Sequence, residues 1–159
     1  MCGYVWGRKG EQTPVPMLNQ KKRQTYYGVI NYATKEFILK PYDTGNAINT
    51  VDFIKFLRNE FIGSRLLIIW DGASYHKYGE TRGYLNEINA GIEQEKWPVE
   101  CVLYAPNAPD QNPVEDIWLQ MKNYIRKNFT ECETFSQVKK LFENFASGGK
   151  SPRSSRKPR

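Results

Sequence analysis

Five consecutive apolar residues, Leu66 to Trp70, run straight into an aspartate, and this stretch (RLLIIWD) limits the chain more than any other. A segment apolar at every position offers apolar side chains to both faces of a sheet, the pattern of a central buried strand in an α/β protein. Gly72 ends the run, so Asp71 stands at the strand's C-terminal end, where open α/β sheets gather their chemistry. The run is far too short to cross a bilayer. No charged segment followed by an apolar one opens the chain, so no signal peptide is read.

The segments on either side alternate between the two regular periods. Gln24–Tyr32 (QTYYGVINY) and Phe37–Tyr42 are rich in β-branched and aromatic residues, and the turn at Ala33–Glu36 between them predicts a hairpin. A helix follows from Gly45-Asn46 to about Phe61, ended by Gly63. After the Asp71 strand, a polar segment from about Gly79 to Lys96 reads as helical with interruptions at Gly83 and Gly91. Val99–Tyr104 is another short strand, and Thr134–Phe145 is a closing amphipathic helix. The order β-β-α-β-α-β-α-α predicts a mixed α/β sheet flanked by helices.

A second acid is introduced in a different way. In APNAPDQNPVEDIWLQMKNYIRK, residues 105–127, Pro106, Pro109 and Pro113 bar regular structure until Asn112. Asn112 then suits an N-cap and Pro113 the first helical position, with Glu115 at the capping-box spacing. Val114, Ile117, Trp118, Met121 and Ile125 share one broad apolar face, which places Trp118 in the core. Glu115, Lys122 and Arg126 form a polar stripe beside it. A strand-end acid and a first-turn acid can converge on a hard divalent cation such as Mg²⁺, which prefers carboxylate oxygens and leaves positions for substrate phosphates. The plainer alternative makes Asp71 a turn former, Glu115 a cap, and the two cations a solvated helix face.

Charge and cysteine usage narrow the partners. The formal charge of +6 is concentrated: five of the 23 Lys and Arg, and none of the 17 Asp and Glu, fall in residues 147–159, leaving a nearly neutral body. That Ser/Pro/Arg tail cannot form a core and either attracts phosphates or is passively solvated. The remaining residues, 1–146, are sufficient for one domain. Three cysteines without a CxxC pair and a single histidine argue against disulfide frameworks and zinc sites, and favour a reducing, cytoplasmic compartment. A catalytic metal would need oxygen ligands.

IIWDGASYHK and PNAPDQNPVEDIWLQMKNYI resemble the second and third acidic motifs of DDE-type transposases of the IS630 and Tc1/mariner-like group. The first matches at Asp71, Ala73 and His76. The second matches at Pro106, Pro109, Asp110, Asn112, Pro113, Val114, Glu115, Trp118 and Lys122, with Asp71 and Glu115 44 residues apart. Trp6 to Pro14 (WGRKGEQTP) resembles the stretch ahead of that family's second strand. Gly72 replaces the usual Asn and Gln111 the usual Leu. Only five residues precede Trp6, and none is acidic; Asp43 and Asp52 do not substitute for the family's first aspartate.

The resemblance implies a ribonuclease-H-like fold beginning after its first strand. It implies Asp71 and Glu115 as catalytic metal ligands for Mg²⁺ or Mn²⁺, in a two-metal site once the enzyme is complete. It also implies DNA cleavage and strand transfer on transposon ends and target, by a homodimer or with a complementing N-terminal fragment, in the bacterial nucleoid. The alternative is an inactive remnant or split product that at most binds DNA. Lys122 and Arg126 are candidate DNA-phosphate contacts, set against a solvated helix face. His76 is a candidate DNA or leaving-group contact, set against a structural histidine, and Tyr75, Lys77 and Tyr78 are candidates to line a DNA path. An absent first strand would leave a sheet edge open to association.

Overall fold

The computed structural model describes residues 22–77, 79–105, 111–128 and 132–148. The elements run β1 (Thr25–Ile30), β2 (Phe37–Tyr42), α1 (Ala47–Glu60), β3 (Leu66–Trp70), α2 (Ser74–Lys77), α3 (Glu80–Asn89), a 3-10 turn (Gln94–Lys96), β4 (Val99–Leu103), α4 (Pro113–Asn128) and α5 (Phe135–Ala146). They fall into two compact units, Gln24–Asp116 and, in its described part, the helical segment from Ile117 onward.

In the first unit the strands form two separate pairs. β1 and β2 pair antiparallel, from Thr25 opposite Tyr42 to Ile30 opposite Phe37. Their turn is built by Asn31, whose Oδ1 accepts the N–H groups of Ala33 and Thr34, an Asx arrangement that substitutes for a backbone turn. Lys35 takes the left-handed conformation there, at φ 62°. β3 and β4 pair parallel, from Leu66 opposite Val99 to Trp70 opposite Leu103.

The single mixed sheet expected from the sequence is therefore two small sheets among the described residues. β3 also departs from the buried central strand its composition predicts. Leu66, Ile68 and Trp70 are half-buried on one face, whereas Leu67 and Ile69 on the other are exposed. Among the described residues of this unit α3 covers the first face, so the apolar run has one covering layer there where two were expected.

Helix α1 carries the core. Asn46 caps it by accepting the N–H of Asn49 at 2.8 Å. Thr50, Phe53, Ile54 and Leu57 recur at helical spacing and are all buried. Tyr27 and Tyr42 of the hairpin pack against Phe53, and α3 closes on α1 where the buried Thr81 hydroxyl donates to Ala47 O at 3.4 Å. Asn89 at the end of α3 then donates to Val99 O at 2.9 Å, tying the helix to β4. The order of packing is hairpin, α1, α3, β3–β4.

Of the two glycines expected to interrupt the 79–96 segment, one does. Gly83 lies inside α3 and keeps its helical hydrogen bond to Gly79 O at 3.0 Å. A glycine there costs about 1 kcal/mol relative to alanine but does not stop a helix. Gly91 does, because the chain turns there at φ 71°, a conformation that glycine adopts without a Cβ clash.

In the second unit α4 and α5 meet through aromatic side chains. Trp118 stacks on Phe142 at 6.2 Å and Tyr124 meets Phe145 at 4.7 Å, while Met121 and Ile125 are buried. Thr134 starts α5 with a complete capping box to Gln137.

Candidate active site

Asp71 leaves β3 at its C-terminal end and turns the chain. Its Oδ1 accepts the Ala73 N–H at 2.9 Å, which bends the backbone out of the strand and into α2. The carboxylate is 65% exposed, and 3.5 Å from Oδ1 lies Nε2 of His76, itself only 12% exposed. The imidazole stacks on Trp70, with ring centres 4.6 Å apart and planes 11° from parallel. Burial lowers the His76 pKa, while the negative charge of Asp71 opposes that shift in part. An imidazole seated on the Trp70 indole thus flanks an open carboxylate.

β4 brings the chain back beside it. Tyr104 N donates to Trp70 O at 2.9 Å, extending the parallel ladder one step past the strands. The loop toward the second acid therefore leaves the sheet next to Asp71. Pro106, Pro109 and Asp110 lie outside the described residues. α4 begins beyond them with Asn112 as cap: its Oδ1 accepts the Val114 N–H at 3.2 Å, and its carbonyl accepts from Glu115 at 3.0 Å. Pro113 occupies the first helical position, where it gives up no helical hydrogen bond. Glu115 is exposed in the first turn, with Asp116 beside it.

The candidate cations are further along the helix. Lys122 and Arg126 are exposed on α4, and Arg126 Nη1 donates to Asn123 at 2.9 Å. Lys77 and Tyr75 belong to α2, but their side chains, like all of Tyr78 and the Trp6–Pro14 stretch, lie outside the described residues.

One feature of the site was not drawn from the sequence. A cleft of about 620 Å³ lies between α3 and the covered face of β3–β4, walled by Trp70, His76 and Trp97 and edged by Arg82, Asn86 and Asn89. The signal was present, since Arg82, Leu85, Asn86 and Asn89 recur at i, i+3, i+4 and i+7 and so share one face of α3. The segment reads from the sequence only as polar and helical, without a face assigned.

A family model described as DDE superfamily endonuclease matches residues 2–139. The chain belongs to that family. Membership implies DNA as the substrate and a nuclease-type reaction, and DDE endonucleases typically use divalent metals. No curated protein matches the chain. Asp71 and Glu115 are both exposed carboxylates, the hard oxygen donors that divalent cations of the Mg²⁺ and Mn²⁺ kind prefer. No group of three or more metal-ligating side chains occurs among the described residues. No helix among them is long and apolar enough to cross a membrane.

Proposed function

We propose that this DDE endonuclease is the catalytic part of a transposase of the IS630 and Tc1/mariner-like group, with a ribonuclease-H-like core over residues 1–146 and a basic tail over 147–159. The reading is carried by the open end of the parallel β3–β4 pair. There Asp71 stands exposed while the neighbouring strand sends its chain into the helix that begins beside Glu115.

Asp71 and Glu115 are the residues that would hold divalent metal. When bound, such ions activate the attacking oxygen and stabilise charge on the leaving one in phosphodiester chemistry. The chain's own residues do the positioning. The Ala73 N–H holds Oδ1 of Asp71, and His76, stacked on Trp70, stands 3.5 Å from the same oxygen. Lys122, Arg126 and Lys77 serve DNA phosphates, each adding a salt-sensitive contact. The active species is a homodimer or a complex with a complementing N-terminal fragment, working on the nucleoid in the cytoplasm.

The test is Mg²⁺-dependent nicking of supercoiled plasmid by the protein and its Asp71→Asn and Glu115→Gln variants. Both variants should lose at least a hundredfold in rate, the scale of removing one electrostatic contributor to a transition state. Unchanged nicking by either variant would refute the assignment. A chain that binds DNA without cutting it is the second reading, which the five Lys and Arg of residues 147–159 would serve. Plasmid retardation without nicking at any Mg²⁺ or Mn²⁺ concentration, both for the protein alone and with the complementing N-terminal fragment added, would select it.

A further inference from the structure

A second opening lies at the far end of the parallel pair from Asp71. It has a volume of about 520 Å³ and is bounded by the last turns of α1, the turn at residues 61–64, Tyr84 of α3 and Pro98 ahead of β4. Leu66 N donates to Pro98 O at 3.0 Å, which joins β3 to the other strand at this end. The five residues of β3 span ~17 Å, so the opening and the acid stand about one strand length apart.

Its walls carry three cations, of which one is engaged in holding the fold. Arg65 donates to Trp97 O at 3.1 Å and to Gln94 O at 3.5 Å, and meets Glu100 at 3.8 Å. Lys55 and Arg58 stand about one turn apart on α1 and converge on Tyr84. The Lys55 ammonium is 5.1 Å from the ring centre, and Arg58 Nη1 donates to the hydroxyl at 3.0 Å. Neither forms an ion pair among the described residues. The Lys55 charge reaches Asp52, but that carboxylate takes its close contacts from Lys40 and Tyr42.

Like charges one turn apart on a helix repel. The helix dipole accounts for Arg58 in the last turn of α1, but not for Lys55 or for their common seat on one phenol. An anion placed between them relieves the repulsion, and the guanidinium has further N–H groups to donate to it. Asn59 and Ser64 add exposed neutral donors, while Phe61 and the exposed Ile62 give the opening an apolar side. Phosphate oxygens use the cations and donors, and the carbon face of a deoxyribose uses the apolar side. An acidic peptide would use the cations equally well, but DNA is the substrate that family membership implies.

We propose that this opening seats the sugar-phosphate backbone of DNA on Lys55 and Arg58, as a contact apart from the one presented to Asp71. The proposal rests on the DNA-endonuclease reading above. Contacts of this kind position the duplex without reading its sequence.

Fluorescence anisotropy with two labelled duplexes of unrelated sequence, in EDTA to prevent metal-dependent cleavage, gives Kd at salt concentrations from about 50 to 200 mM. Lys55→Gln and Arg58→Gln should each lower the slope of log K against log salt by about 0.9, and the double variant by about twice that, alike on both duplexes. The affinity gap between the double variant and the unsubstituted protein should therefore shrink about tenfold across that range. Arg58→Lys, which keeps the charge, should keep the slope. Lys35→Gln removes an equal charge from the hairpin turn, where the ammonium lies over Tyr32, and should leave the slope unchanged. All three positions are exposed. An undiminished slope in the double variant, with binding intact, overturns this contact and leaves the DNA reading in place. An equal loss from Lys35→Gln does the same, because net charge alone would then explain the effect. Failure of the unsubstituted protein to bind either duplex removes the DNA reading and this inference with it.

Discussion

The hydroxyl of Tyr27 joins the hairpin to the start of α1, and its removal has a calculable effect. The oxygen lies 3.1 Å from each of Asn46 N, Asn46 O and Thr50 Oγ1. The buried Thr50 hydroxyl donates its own proton to Asn46 O at 2.9 Å. The single Tyr27 proton is therefore shared between Asn46 O and Thr50 Oγ1, while its lone pair takes the Asn46 N–H. In Tyr27→Phe the two acceptors keep other partners, but the Asn46 N–H at the helix cap loses the acceptor it has among the described residues. Leaving one half-buried donor unsatisfied costs about 1–3 kcal/mol, a large part of the roughly 5–15 kcal/mol that holds a domain together. Urea unfolding followed by fluorescence should show a lower midpoint at unchanged slope. Tyr32→Phe is the control: that ring is 78% exposed beneath the Lys35 ammonium and should change stability by less than about 0.5 kcal/mol. Equal shifts for the two variants would refute the claim that this hydroxyl locks the hairpin to α1.

Two further tests concern titratable groups. Asp52 accepts from both Lys40 and Tyr42 at 2.7 Å, and the Lys40 hydrogen bond first, then that of Tyr42, hold its carboxyl below the ordinary range. Its contribution is therefore present above the unfolded carboxylate pKa near 4 and lost as pH falls through the lower folded value. At 53% exposure it amounts to well under about 1 kcal/mol. Asp52→Asn should flatten the acid limb of a Tm-against-pH curve below about pH 4, and an unaltered limb would contradict the pairing. Burial, assisted by the Glu100 charge, pushes the Cys101 thiol up to about 12. In a Cys2→Ser, Cys132→Ser background the thiolate fraction at pH 8 is on the order of one in ten thousand. Iodoacetamide should leave Cys101 unmodified over hours by mass spectrometry, and labelling at the rate of a free peptide thiol would show the cleft floor to be open.

Local structure was readable from residue chemistry wherever a single side chain decides it. Asn46, Asn112 and Thr134 start helices as their short polar side chains dictate, and Phe37–Tyr42 forms the strand its composition predicts. Long-range pairing was not. Leu66–Trp70 carries no mark of whether one face or both will be covered, because an apolar run is equally compatible with each. Leu67 and Ile69 are exposed in the structure for want of a second layer within their unit. Gly83 was misread for the opposite reason, since helix propensity is a small cost that packing on α1 readily offsets. Asp71 and Glu115 stood out as acids at element ends. The cleft did not, because Trp70, Trp97, Asn86 and Asn89 come from three separate segments and acquire a joint meaning only when α3 lies across β4.

Whether Asp71 and Glu115 serve one cation can be read by titrating Mn²⁺ into the protein calorimetrically, alongside Asp71→Asn, Glu115→Gln and the double variant. A shared ion predicts that either substitution abolishes the same binding event and that the double variant is no worse than the singles. Two independent, additive losses, or Mn²⁺ binding untouched by both substitutions, would place the two carboxylates in separate roles and end the nuclease assignment built on them.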